Sequence, residues 1–220
     1  MHWRSPSGRA IIQPMNAPLH FYFDFSSPYS YLATAWVDEV AARHGRQVQW
    51  HAILLGAIFQ TIGSRPLVDQ PGKGDYSRRD FARSAAMAGL PFAEPAHFPI
   101  STHLAARVFW WLHGQDPARA KAWARAAYAA YFAHGLDLSD PDALRQVCTQ
   151  AGLDATAAEV AWGDPLLKAQ LKAENDAALA AGVFGAPYLV IDGEPFWGND
   201  RRDQVEWWLG GAGPQSMASR

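Results

Sequence analysis

Leu19-His20-Phe21-Tyr22-Phe23-Asp24-Phe25-Ser26-Ser27-Pro28-Tyr29-Ser30-Tyr31-Leu32 changes its period halfway along, and that change decides the fold class. Up to Phe25 the pattern has period two. Leu19, Phe21, Phe23 and Phe25 fall on one side, with His20, Tyr22 and Asp24 on the other, which predicts a strand. Ser27-Pro28 then reads as a helix start, with serine as N-cap and proline in the first turn. The helix is expected to run from Pro28 to about His44, with Leu32, Trp36 and Val40 as its apolar stripe and Gly45 as its stop. Gln47 to Leu54 alternates again through Val48, Trp50, Ala52 and Leu54, predicting a second strand. A strand, a helix and a strand in this order favour a parallel pair.

Further along, Gly56 to Lys73 is mixed, interrupted by Gly63, Pro66, Pro71 and Gly72. From Tyr76 to Gly182 the pattern is helical and rich in alanine. Helices are expected at 78–88, 102–113, 117–134, 141–151, 155–162 and 165–181. Asp116-Pro117, Asp140-Pro141 and Asp164-Pro165 are start signals for three of them. Ala186 to Ile191 returns to a strand pattern. Asp192-Gly193 marks a two-residue hairpin turn, and Glu194 to Trp197 is a return strand that Pro195 places at an edge. Asn199 or Asp200 then caps a last helix ending near Leu209. The two α/β flanks, 19–56 and 183–210, therefore read as one α/β domain interrupted by an all-helical insertion at 57–182. Residues 1–18 read as a disordered extension lacking the apolar block of a secretory signal, with Met15 an alternative start, and 211–220 as a tail.

Composition narrows the function classes. The formal net charge is −2 and no basic run stands out, so nucleic acid is not an expected partner. No apolar run is long enough to span a membrane, and cytoplasmic residence is the default. The single cysteine, Cys148, excludes an internal disulfide and a Cys-x-x-Cys site; it reads as a small buried hydrophobe on a helix. The histidines show no tight metal-ligand spacing, so no metal is expected.

Three short segments can carry chemistry. Ser27-Pro28-Tyr29-Ser30 sits at a strand–helix junction, where redox proteins place a Cys-x-x-Cys motif because the location lowers a thiol pKa. Serine cannot replace a thiolate, but its hydroxyl can donate to one supplied by a ligand. It can equally be an ordinary cap. Gly185-Ala186-Pro187 fits a cis X-Pro bond that leaves the backbone of Ala186 open to an extended peptide. Trp197-Gly198-Asn199-Asp200 offers N–H groups and side chains for the charged end of an amino acid, or else a plain helix cap. A tripeptide thiol would use all three.

Residues 21–33, Val183-Phe184-Gly185-Ala186-Pro187 and Phe196-Trp197-Gly198-Asn199-Asp200-Arg201 closely resemble the 2-hydroxychromene-2-carboxylate isomerases, relatives of kappa-class glutathione transferases and DsbA-type oxidoreductases. The resemblance covers about Leu19 to Leu209 and is loosest in the helical middle. It implies a thioredoxin-like fold, glutathione as cofactor, a homodimer and a small aromatic carboxylate as substrate. It implies that Ser27 is the catalytic serine that holds the glutathione sulfur. Ala186 and Pro187 would pair with the tripeptide backbone, and Trp197, Gly198, Asn199 and Asp200 would form the glutathione-binding turn. Substrate contacts fall at Phe59 and Ser101. Phe59 stands where a family member that binds the aromatic acid has a lysine, which leaves the substrate open. Arg65, Lys73, Arg78, Arg79 and Arg83 are nearby cations for a carboxylate, or solvated surface charge. A kappa-like transferase and a non-catalytic glutathione-binding module remain as rival readings.

Overall fold

A computed structural model describes residues 17–211. The expected extension and the alternative start at Met15 lie outside those residues apart from 17 and 18, as does the tail apart from residue 211. Strand β1 (Leu19–Phe23) pairs in parallel with β2 (Val48–Ala52) and antiparallel with β3 (Tyr188–Ile191), which pairs antiparallel with β4 (Glu194–Trp197). The sheet order is β2-β1-β3-β4, so β4 is an edge strand and carries Pro195. Asp192 and Gly193 take φ of 55° and 88°, and the β3–β4 turn needs that left-handed backbone at both positions.

Both faces of the sheet are covered. Leu19, Phe21 and Phe23 are fully buried in the main core, where Trp50 of β2 meets Phe21 edge-on at 5.0 Å. Tyr22 and Tyr188 point the other way, into a smaller cluster with Ile53, Ile58, Ala178 and Val183. The period-two reading of β1 thus describes two buried faces. Asp24, expected in the strand on the side of His20 and Tyr22, lies just past it and is buried.

The first helix is not continuous. Helix α1 (Pro28–Ala33) stops, and α2 (Val37–Arg43) restarts after a tight turn. The Thr34 hydroxyl donates to the Tyr31 carbonyl at 2.6 Å, and Ala35 and Trp36 make short-range bonds to Leu32 and Ala33. These contacts take up carbonyls that a continuous helix would use, and hydroxyl back-bonding of this kind bends or ends helices.

The segment read as mixed contains helix α3 (Leu55–Ile62) and a 3-10 turn at Leu67–Asp69. Helix α4 (Lys73–Ala88) begins five residues before its expected start. Then follow α5 (His103–His113), α6 (Pro117–Phe132), α7 (Pro141–Gln150), α8 (Ala155–Gly163) and α9 (Pro165–Ala180). Asp116, Asp140 and Asp164 cap α6, α7 and α9 through their side chains, each with proline next in sequence, as the Asp-Pro signals predict. The buried Cys148 lies on α7, and burial pushes its thiol pKa up to about 11. The last helix among the described residues is α10 (Arg202–Leu209). Neither Asn199 nor Asp200 caps it. They lie in a 3-10 turn, Asn199–Arg201, and no side chain caps α10. No described helix is long and apolar enough to cross a membrane.

Candidate active site

The end of β1 delivers the backbone into a turn that is fixed before α1 begins. The Ser27 N–H donates to the Asp24 carbonyl at 2.9 Å. The Ser27 hydroxyl accepts from the Ser30 N–H at 3.1 Å and donates to the Ala186 carbonyl at 3.0 Å. Ser27 is therefore both the cap of α1 and a bridge to a segment 159 residues away. The side chain is almost fully buried. Ser30, at the last position of the motif, is buried as well.

Ala186-Pro187 is a cis peptide bond, as is Phe98-Pro99, which the sequence reading did not single out. The Pro187 carbonyl accepts from the Gly198 N–H at 3.1 Å, which joins the proline segment to the turn after β4. Two glycines in this region sit where a side chain would be strained, Gly185 by contact with Trp197 and Gly198 by its backbone conformation. A Cβ on Gly185 would lie 2.4 Å from the Trp197 Nε1, and one on Gly198, whose φ is 116°, would lie 2.4 Å from an Asp200 carboxylate oxygen. Trp197 is half exposed and packs edge-on against Phe184. Asn199 Oδ1 accepts from the Trp36 indole N–H at 2.9 Å, so this side chain ties the turn to the restart of the helix after Ser27. Asp200 is exposed and pairs with Arg201.

The structure thus gathers Ser27, Ala186, Pro187, Gly198 and Asn199 at one end of the sheet, with Trp197 and Asp200 on its rim. Ser101 stands beside the same turn. Its neighbour Ile100 donates its N–H to the Ser26 hydroxyl at 3.0 Å, while the exposed Ser101 hydroxyl pairs with His103 Nδ1 at 2.9 Å. Phe59 lies half-buried on α3, one turn beyond Leu55, and no hydrogen bond or aromatic pairing joins it to the Ser27 turn among the described residues. Of the nearby cations, Arg78 pairs with Glu94 and Arg83 with Asp80, whereas Arg65, Lys73 and Arg79 are exposed.

Three participants were not legible as such. Trp36 read as a core stripe residue, Asp24 as a strand residue on the side of His20 and Tyr22, and Tyr29 was not singled out. The Tyr29 hydroxyl donates to Asp80 at 2.6 Å; burial and that carboxylate hold its pKa well above the ordinary phenol value. Burial likewise raises the Asp24 pKa, against the opposing pull of donors from Leu55, Ser26 and Thr102. The nearest signal for Asp24 is its place three residues before Ser27, where a strand gives way to a turn. On the other side of the sheet, His20 Nδ1 and His51 Nε2 are 3.0 Å apart. Among the described residues no group of three or more His, Cys, Asp or Glu side chains could hold a metal ion.

A buried serine at a strand–helix junction, facing a cis-proline segment across an α/β sheet with a helical insertion, is the arrangement of a thioredoxin-fold protein. The sequence model of the DSBA-like thioredoxin domain matches residues 18–209, and the chain belongs to that family. Within it, the chain is a member of the 2-hydroxychromene-2-carboxylate isomerase family. It is 33% identical over 200 residues to the 2-hydroxychromene-2-carboxylate isomerase of Sphingobium xenophagum, a match covering 89% of this chain and 99% of that one. A solved 2-hydroxychromene-2-carboxylate isomerase superposes with a TM-score of 0.80 at 27% identity, covering 93% of this chain and all of the other. Glutathione S-transferase kappa 1 of Homo sapiens is 25% identical over 210 residues, covering 90% of this chain and 92% of that protein. These three relatives are two isomerases and a glutathione transferase, which supports an enzyme.

Proposed function

We propose that this protein is a glutathione-dependent cis–trans isomerase. Its substrates would be of the 2-hydroxychromene-2-carboxylate type, interconverted with trans-o-hydroxybenzylidenepyruvate in aromatic catabolism. The observation that carries this reading is the Ser27 hydroxyl, buried and aimed at the Ala186 carbonyl, in a chain with no second cysteine. The thiol has to come from a ligand.

The bond to Ala186 suggests how the site would change on binding. A tripeptide pairing with Ala186 in strand fashion brings a backbone N–H that can replace the Ser27 hydroxyl on that carbonyl. The Ser27 proton is then free to donate to the ligand's sulfur, while its oxygen continues to cap α1. A hydrogen bond to the charged form lowers the thiol pKa. Helix α1 has only six residues, so its dipole adds less than an unbroken 28–44 helix would, and the hydroxyl carries more of the shift.

The chromene hemiketal opens first: its ring C–O bond breaks, the hemiketal hydroxyl proton passes to the phenolic oxygen, and the ketone that forms is conjugated with the C=C bond, to which the thiolate then adds. A C–S bond forms, and the π pair moves into the conjugated carbonyl as an enolate. The former double bond is now single and rotates. Collapse of the enolate re-forms the C=C bond and expels the thiolate, so glutathione is unchanged at the end. Ser27 is the catalytic residue of this scheme. Ala186 and Pro187 hold the peptide backbone, and Trp197, Gly198, Asn199 and Asp200 hold its charged end. Phe59 and Ser101 line the substrate side, on the insertion that we place at 57–182 between the two α/β flanks. The chain is further proposed to act in the cytoplasm as a homodimer.

The kinship with human kappa-class transferase favours one other reading, in which the thiolate adds and the conjugate is released. A single pair of assays separates them. With glutathione and a hydroxychromene carboxylate the isomerase gives the trans product catalytically; with chlorodinitrobenzene it gives no lasting conjugate. Conjugation without isomerisation would replace the first reading by the second.

A further inference from the structure

Five donors converge on one residue next to the Ser27 turn. The Asp24 carboxylate accepts from the Ser26 N–H at 2.7 Å and the Thr102 hydroxyl at 3.0 Å on one oxygen, and from the Leu55 N–H at 2.6 Å on the other. Its backbone carbonyl accepts from the Ser27 N–H at 2.9 Å and the Tyr128 hydroxyl at 2.7 Å. The residue is only 4% exposed. Both oxygens of this buried carboxyl serve as acceptors, one for Ser26 and Thr102 and the other for Leu55.

The three carboxylate donors come from three different parts of the site. Ser26 belongs to the turn that presents Ser27. Leu55 opens α3, which carries Phe59. Thr102 precedes α5 and follows Ser101. The start of α3 is also held from the far side, where the buried Asn175 of α9 accepts from the Leu54 N–H at 2.8 Å and donates to its carbonyl at 3.0 Å. By contrast, the segments read as holding glutathione are joined by bonds that bypass the Asp24 carboxylate: Ser27 to Ala186, Gly198 to Pro187, and Trp36 to Asn199.

We infer that Asp24 is a positioning residue that sets the substrate wall, the starts of α3 and α5, against the Ser27 turn. This rests on the isomerase reading of the same site. An asparagine at 24 has one acceptor oxygen, so whichever way its amide turns, either Leu55 or Ser26 with Thr102 meets an N–H group instead. With its oxygen kept on Ser26 and Thr102 the amide loses Leu55, and the start of α3 shifts relative to Ser27 while the glutathione contacts stay. Misplacement of about an ångström away from the reacting atoms lowers turnover by up to roughly a hundredfold.

The experiment compares wild type with Asp24→Asn, Thr102→Val and Thr102→Ser. Glutathione affinity is measured by calorimetry, and kcat and KM per folded molecule with a hydroxychromene carboxylate. Asp24→Asn and Thr102→Val are expected to lower kcat on the order of tenfold or more, with glutathione Kd changed by less than about threefold; Thr102→Ser, which keeps the hydroxyl, restores wild-type kcat. If Asp24→Asn fails to fold, the Thr102 pair alone decides. A wild type that binds and turns over, with Thr102→Val matching its kcat per folded molecule, overturns this inference and leaves the isomerase reading intact. Equal losses of kcat and glutathione affinity overturn it too, since they mean a general collapse. A wild type that does not bind glutathione overturns the isomerase reading, and the inference falls with it.

Discussion

Replacing Ser27 with alanine removes two interactions at once, and their effects can be separated. The first is structural. The cap on the Ser30 N–H is lost, worth about 1 kcal/mol. The Ala186 carbonyl also loses its buried donor, and an orphaned buried acceptor costs about 1–3 kcal/mol. The two share one hydroxyl and do not add fully. About 2 kcal/mol in total lowers the Tm by roughly 4–8 °C for a domain of this size. The second effect is chemical. A hydrogen bond to a thiolate is charge-assisted and worth about 1.5–3 kcal/mol. Its loss raises the bound thiol pKa by about one to two units and slows turnover roughly 10- to 150-fold. Ser27→Thr keeps the hydroxyl and serves as the comparison. Calorimetry gives the Tm, and thiolate absorbance against pH gives the bound thiol pKa. Both are then set beside kcat. A fall in Tm of the expected size with an unchanged thiol pKa and kcat would falsify the thiolate-donor role and leave Ser27 as a cap alone.

Other outcomes follow from the same contacts. Asn199→Ala strands the Trp36 indole N–H, and is expected to lower the Tm by roughly 2–6 °C and to weaken glutathione binding; calorimetry reads both. Hydrogen bonds from Arg43 and then His44 hold the Glu206 carboxyl down to about 2, from an ordinary 4.5. A carboxyl lowered by folding contributes stability that is present above its unfolded pKa and lost as pH falls through its folded one. The Tm difference between wild type and Glu206→Gln is thus full above about pH 5, shrinks between pH 4.5 and 2, and narrows in high salt because the pair is exposed. A difference independent of pH would show that the pair contributes nothing through charge. Cys148, buried and with its thiol pKa raised to about 11, is expected to resist a thiol reagent in the folded protein and to react at once in denaturant; rapid labelling under native conditions would contradict its placement.

What could be read from the sequence follows a physical division. Features written in adjacent residues were legible: the alternation of β1, the Asp-Gly turn, the Asp-Pro caps, the Ser-Pro helix start. Features set by distant contacts were not. The break at 34–36 comes from a threonine hydroxyl turning back on its own helix, which the apolar stripe Leu32, Trp36 and Val40 conceals. Helix α3 lacks a side-chain cap and contains Gly56, and its start is held by Asp24 and Asn175, 31 and 121 residues away in sequence. Asn199 looked like a cap because asparagine before a helix usually is one, yet its oxygen is taken by Trp36. Asp24 read as a strand residue on the side of His20 and Tyr22 because period two assigns it there, whereas the strand ends before it. The candidate site was legible in outline because Ser27 and Ala186-Pro187 lie in short segments of distinctive composition. Its inner supports, Asp24 and Trp36, are ordinary residues made functional only by what folds against them.

The central claim concerns one atom pair. A crystal structure of the protein with glutathione tests it directly. The account predicts the glutathione sulfur within hydrogen-bond reach of the Ser27 hydroxyl, with the tripeptide backbone on the Ala186 carbonyl in place of that hydroxyl. Glutathione bound with its sulfur turned away from Ser27, or no glutathione at this end of the sheet, would contradict it.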